Sequence, residues 1–142
     1  MIKKGWAVWE GGIKDGGGRI STETGALKEA PYGFKSRFES GPGTNPEELI
    51  AAAHAACFSM ALSLMLGEAG LKPARIETHA AVTVDRAGGG FEITASHLDV
   101  AARVPGADAD KFDEIAAKAK AGCPVSKLMK ARITMDARLE KG

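Results

Sequence analysis

The feature that most limits what this chain can fold into is "LIAAAHAACFSMALSLMLG", Leu49 to Gly67, nineteen residues without a single Asp, Glu, Lys or Arg. A run of that length is about long enough to cross a bilayer. Its many alanines and His54 make it a poor membrane inserter, so the expectation is a long helix buried inside a protein and covered on most faces. Its start is well marked. Thr44 or Asn45 serves as the cap, Pro46 suits the first turn, and Glu47 and Glu48 complement the positive end of the helix dipole. Gly67 or Gly70 ends it, with Pro73 beyond.

Around that helix the periodicity is mostly extended. "KKGWAVWE" alternates Trp6 and Val8 with Ala7 and Trp9, "RISTET" is rich in β-formers, and the glycine-rich "GGIKDGGG" between them supplies a hairpin loop. "YGFKSRFE" repeats the alternation and predicts a third extended segment, with Tyr32, Phe34 and Phe38 on one side and Lys35, Arg37 and Glu39 on the other. "RIETHAAVTVDR" and "FEITASHLDVAARV" form a second hairpin about "AGGG". "GADADKFDEIAAKAKAG" is an amphipathic helix, acidic at its start and lysine-rich at its end. Cys123 and Pro124 begin a short helix, and "ARITMDARLE" is a last strand. The predicted order β-β-β-α-β-β-α-α-β points to an α+β fold with largely antiparallel sheets packed around a long central helix. With 142 residues, no repeat and no linker, residues 1–142 are expected to form a single domain.

Charge narrows the function. Nineteen basic against eighteen acidic residues leave +1, too little to gather nucleic acid or an anionic membrane. The N-terminus has lysines but no following apolar run of signal-peptide length, so a cytoplasmic protein is expected. Two cysteines without C-x-x-C spacing and three scattered histidines, His54, His79 and His97, predict neither a disulfide scaffold nor a metal site.

The two thiols carry the remaining chemistry. Cys57 shares a helix face with Ile50, Ala53, Met60, Ala61 and Leu64, and on packing pattern alone it reads as a small core hydrophobe. Cys123 precedes a proline at a helix start, beside unpaired N–H groups that lower a thiol pKa, so on physics alone it is the more reactive of the two. His54 lies three residues before Cys57, but nothing in the sequence supplies an oxyanion hole beside them, which argues against a hydrolase. On composition alone, Arg37 is a solvated strand arginine and Glu47 a helix-start acid.

At this point the motifs become specific. "RFESGPGTNPEELIAAAHAACFSMALSLML" and "AKAGCPVSKLMKARITMDARL" closely resemble the osmotically inducible protein C family, thiol peroxidases related to organic hydroperoxide resistance proteins. "KKGWAVWEGGIKDGGGRISTETGAL" is similar too, and looks more like the osmotically inducible branch. The resemblance covers essentially the whole chain. It implies the OsmC-like fold as an intertwined homodimer with the active site at the subunit interface. It also implies a reactive thiol at Cys57, a resolving thiol at Cys123, and an assisting pair at Arg37 and Glu47, the glutamate that directly follows "TNP".

The chemistry so implied is reduction of organic hydroperoxides, and more weakly of hydrogen peroxide, in oxidative and osmotic stress defence. Cys57 becomes a sulfenic acid, Cys123 closes a disulfide with it, Arg37 stabilises developing negative charge, and Glu47 orients Arg37 through a bidentate pair. No bound cofactor is implied. The reductant is an external dithiol, dihydrolipoyl by the resemblance, carried on a lipoylated protein. Ten residues of continuous helix separate Glu47 from Cys57 by about 15 Å along the axis, so a shared site needs either a sharp bend or a second subunit. Phe34, Phe38, Phe58 and Met60 are the expected lining of an apolar substrate pocket. The competing reading is a non-catalytic dimer that binds an apolar small molecule and uses its cysteines as redox-sensitive staples.

Overall fold

The computed structural model describes residues 1–141. They form two compact units, Met1–Leu49 and Ile50 onward.

The first unit is built on a three-stranded antiparallel sheet in the order β1 (Gly5–Glu10), β2 (Gly17–Thr22), β3 (Ala30–Tyr32). Pairing runs from Gly5 opposite Thr22 to Glu10 opposite Gly17, and Gly18 faces Tyr32. Gly18 is required there. A side chain would run into the Tyr32 ring and the Val8 carbonyl.

The predicted third extended segment is only partly extended. The strand stops at Tyr32, and Phe34–Phe38 form the short helix α1. The alternation of aromatics misled because Phe34 and Phe38 are also four apart, which places them on one helical face; their ring centroids are 5.3 Å apart. The local cause is Ser36. Its buried hydroxyl accepts from the Gly33 N–H at 2.8 Å and donates to the Gly33 carbonyl at 3.0 Å, closing a turn where a strand would have continued.

Helix α2 runs unbroken from Pro46 to Glu68. Asn45 is its cap: Oδ1 accepts from the Glu48 N–H at 2.8 Å. At the far end Gly70 takes φ +77°. The Leu71 N–H reaches back to Leu66 O and the Gly70 N–H to Gly67 O, the paired bonds of a glycine-terminated helix.

In the second unit β4 (Arg75–Ala87) and β5 (Gly90–Arg103) form the expected hairpin. Its two-residue turn is Gly88–Gly89, both at positive φ, as a turn matching strand twist demands. Helix α3 (Ala109–Gly122), capped by the Asp108 carboxylate, and α4 (Pro124–Leu128) follow, then β6 (Arg132–Glu140). The sheet order is β4-β5-β6, and β6 runs parallel to β5. That pair departs from the antiparallel rule of the other strands because two helices intervene, giving the chain enough length to return to the starting end.

Three faces meet in the core. Strand β5 sends Ser96, Leu98, Val100 and Ala102 inward at every second position, α3 sends Phe112, Ile115, Ala116 and Ala119, and α2 sends His54, Phe58, Leu62 and Leu66. The opposite side of α2 stays uncovered in the single chain, with Met60 75% and Leu64 63% exposed. Leu62 is wholly buried. Leu62→Ala is therefore expected to lower the unfolding free energy by about 2–5 kcal/mol, read from urea denaturation. A loss under about 1 kcal/mol would mean that this face of α2 does not form the core.

Candidate active site

Four elements supply the residues singled out from the sequence, and each unit holds its own set. In the first unit, Asn45 joins α1 to the start of α2: its Nδ2 donates to the Ser36 carbonyl at 2.8 Å. This brings Arg37 on α1 to Glu47 in the first turn of α2. Arg37 Nε donates to Glu47 Oε1 at 2.9 Å, and Nη2 lies 2.9 Å from the same oxygen. The expected bidentate pair is thus a fork closed on one oxygen. Glu47 Oε2 is buried and has no partner among the described residues. The neighbouring Glu48 is engaged otherwise, accepting from the Thr44 hydroxyl at 2.7 Å.

The guanidinium also lies over the Phe38 ring, 5.0 Å from its centroid. Trp9, Ile13, Tyr32, Phe34, Arg37 and Phe38 line a cavity of about 250 Å³. Phe34 and Phe38 therefore sit where an apolar group near Arg37 would meet them.

The second unit holds both sulfurs. Cys57 projects from α2 and Cys123 occupies the junction between α3 and α4; both are free thiols, close enough for each to shift the other's pKa. Their exposure reverses the sequence-based picture. Cys57 is half-buried, whereas Cys123 is completely buried and belongs to the core. A helix-start cysteine looks exposed in a sequence. Here α2 covers it.

Environment splits the pair. Burial chiefly raises the Cys57 pKa, and the hydrogen bond and charge of Cys123 raise it further, against a lowering contribution from the Val125 N–H. For Cys123 burial is also the largest influence and acts upward. It is outweighed by hydrogen bonds from Cys57, from the backbone and hydroxyl of Ser126, and from the Val125 N–H, so the net direction is downward. Their surroundings thus push the two thiols in opposite directions, Cys57 up and Cys123 down. This agrees with the helix-start expectation for Cys123.

His54 does not pair with Cys57. It is fully buried, with Nδ1 2.7 Å from Ser96 Oγ and Nε2 2.7 Å from Ser126 Oγ, and burial lowers its pKa so that the ring is neutral. Phe58 is likewise wholly buried and offers a ligand no surface in this chain, while Met60 lies on the uncovered side of α2.

Sequence reasoning missed a second cavity. Ile50 and Ala53 of α2, Ile93, and Val125, Leu128 and Met129 enclose an almost wholly apolar space of about 310 Å³, closed by Lys130 and Ala131. Ala53 stands one helical turn before Cys57, and the Val125 backbone is close enough to lower the Cys57 pKa. The available signal was that Ile50 and Ala53 share the helical face of Cys57.

The chain has relatives of known family. A family model described as OsmC-like protein matches residues 39–138. Peroxiredoxin OsmC of Escherichia coli strain K12 is 61% identical over 138 residues, covering 97% of this chain and 96% of that protein. Organic hydroperoxide resistance protein OhrB of Bacillus subtilis strain 168 is 31% identical over 124 residues, covering 87% and 88%. The crystal structure of B. subtilis OhrB superposes with a TM-score of 0.64 at 26% identity, over 96% of this chain and 98% of that one.

Removing Cys123 removes two of the influences that raise the Cys57 pKa. Cys123→Ala is expected to shift the pH dependence of Cys57 alkylation by iodoacetamide to lower pH than in wild type. An unchanged or upward shift would mean that the two sulfurs are not electrostatically linked.

Proposed function

The chain belongs to the OsmC family, and on that premise we propose that it is a cysteine-based peroxidase that reduces organic hydroperoxides through Cys57 and Cys123. The observation that carries this reading is that the only two thiols of the chain, far apart in sequence, lie close enough for each to shift the other's pKa. Two neighbouring sulfurs need less movement than distant ones to form a disulfide, whose Cα atoms stand about 4.4–6.8 Å apart. The relatives named for peroxiredoxin and hydroperoxide resistance support the class of reaction.

In the first step Cys57 sulfur attacks the outer oxygen of the hydroperoxide. The O–O bond breaks, the alkoxide takes a proton and leaves as alcohol, and Cys57 becomes a sulfenic acid. Cys57 suits this step because it is the reachable sulfur. Cys123 then attacks the oxidised sulfur, the S–S bond forms, and the hydroxyl departs as water. An external dithiol, dihydrolipoyl by family likeness, returns two electrons by exchange. The apolar cavity beside Val125 and Ala53 suits the alkyl portion of such a substrate.

Arg37 supplies the positive charge that the Cys57 environment otherwise lacks, lowering the thiolate pKa and receiving charge from the breaking O–O bond. Glu47 holds the guanidinium from one side. Because α2 is continuous from Pro46 to Glu68, the bend that would bring Glu47 back to Cys57 is missing, and the reading assigns Arg37 and Glu47 to the site of a partner subunit. The uncovered apolar side of α2, with Met60 and Leu64, supports association of two copies. Operation in the cytoplasm, where dithiol reductants persist, belongs to the same proposal.

Subunit complementation tests the assignment. Cys57→Ser and Arg37→Ala proteins are each expected to lose nearly all cumene hydroperoxide reduction. Mixed, unfolded and refolded together in equal amounts, they should recover about one quarter of wild-type activity, since half the dimers would carry one intact composite site. No recovery would place the arginine and the sulfur in one chain. A wild-type protein that keeps both thiols reduced in excess hydroperoxide would instead favour a binding protein.

A further inference from the structure

Behind the sulfur pair lies a polar run that the proposed cycle does not use. His54, Ser96 and Ser126 come from α2, β5 and α4, and all three are buried, His54 and Ser96 completely. Such groups are costly inside a core unless fully bonded. Two bonds join them, Ser96 Oγ to His54 Nδ1 at 2.7 Å and His54 Nε2 to Ser126 Oγ at 2.7 Å. Ser126 lies in the first turn of α4, three residues after the buried Cys123 that starts it, and its hydroxyl acts to lower that thiol's pKa.

Donor counting gives the series a direction. A hydroxyl has one proton, and a neutral imidazole has one N–H and one acceptor nitrogen. A hydroxyl lowers a thiol's pKa by turning its hydrogen toward the sulfur, so Ser126 directs its proton to Cys123 and its oxygen accepts from His54 Nε2–H. Nδ1 is then the acceptor, and Ser96 donates to it. Every hydrogen in the run points toward Cys123. No charged group perturbs His54, whose only influence is burial, so the run is not diverted.

We propose that Ser96, His54 and Ser126 form a one-way hydrogen-bond relay whose role is to hold Cys123 as the sulfur that departs as thiolate when the disulfide is reduced, making His54 and Ser126 positioning residues for thiol exchange. The role in turnover rests on the cycle proposed above. In the exchange a reductant thiolate attacks Cys57, the Cys57–Cys123 bond breaks, and its electron pair goes to Cys123, which Ser126 receives with a hydrogen bond. The second thiol of the reductant then attacks the mixed disulfide and frees Cys57. The better-stabilised thiolate leaves faster, and the buried sulfur is the one that an incoming thiol does not reach.

Two readouts that need no peroxide test this. With Cys57→Ala as background, so that Cys123 is the only thiol, ultraviolet thiolate absorbance is followed against pH. Adding Ser126→Ala should leave about tenfold less thiolate at neutral pH, the scale of one hydrogen bond to a charged group. Ser126→Thr should restore it, and Ser96→Ala, which touches neither sulfur, should shift it in the same direction by a smaller amount. In the second, protein with both cysteines is oxidised by diamide and reduced by dithiothreitol. Ser126→Ala should slow reduction about tenfold, and 2-mercaptoethanol should be trapped on Cys57.

An unaltered thiolate fraction and exchange rate in Ser126→Ala, a Thr variant no better than Ala, or the adduct on Cys123 would overturn the relay. Should Ser126→Ala fold poorly, Ser96→Ala decides alone: a wild-type titration there refutes the proposal. Failure of the peroxidase reading would show as absent hydroperoxide consumption in wild type, with these two readouts unaffected.

Discussion

A helix of twenty-three residues that carries charge only on glutamates at its two ends must have its long uncharged middle covered in water, and the rest of this molecule follows from how that cover is arranged. One face of α2 is closed by β5 and α3, whose inward residues recur at periods of two and of three to four. The opposite face remains apolar and open in the single chain. A helix so placed has a dry side, a wet side and a boundary between them. Cys57 sits on that boundary, half-buried, with a fully buried sulfur behind it.

That placement separates two demands which a redox thiol pair must meet at once. The first sulfur has to be reached by a bulky reagent, while the second has to be shielded from it. Burial alone would make both sulfurs inert by raising their pKa values. The α3–α4 junction offsets this for Cys123, where Cys57, Ser126 and Val125 together bring its pKa down against burial. No equivalent set serves Cys57. The only lowering influence on it comes from the Val125 backbone, and on the proposed cycle the positive charge it lacks comes from Arg37.

Much of the fold was legible because its elements obey strong local rules. Asn45 and Pro46 open α2, Gly70 closes it, two glycines turn the long hairpin, and Asp108 caps α3. The misreadings arise where two rules fit the same letters or where tertiary contact decides. Phe34 and Phe38 satisfy both a strand and a helix period, and the Ser36 hydroxyl settles it. The parallel pairing of β6 depends on where α3 and α4 bring the chain, which no local pattern records. Of the residues singled out, Arg37 pairs with Glu47 and Cys57 lies near Cys123. Pattern alone ranked the thiols by their helix positions. It did not anticipate that α2 would cover the helix start, nor that Ile93, Leu128 and Met129 would assemble an apolar cavity.

His54 illustrates how a polar residue persists in such a helix. On sequence it resembles a nucleophile's base, three positions from a cysteine. In the core it faces away, and both nitrogens are satisfied by serines from other elements. A histidine retained only for packing would be replaced by leucine without loss, since Phe58, Leu62 and Leu66 fill the same stripe. A leucine there would strand two buried serine hydroxyls, Ser96 and Ser126, each costing about 1–3 kcal/mol unpaired. The three residues therefore stand or fall as a set, and the only member of the set that touches the sulfur chemistry is Ser126.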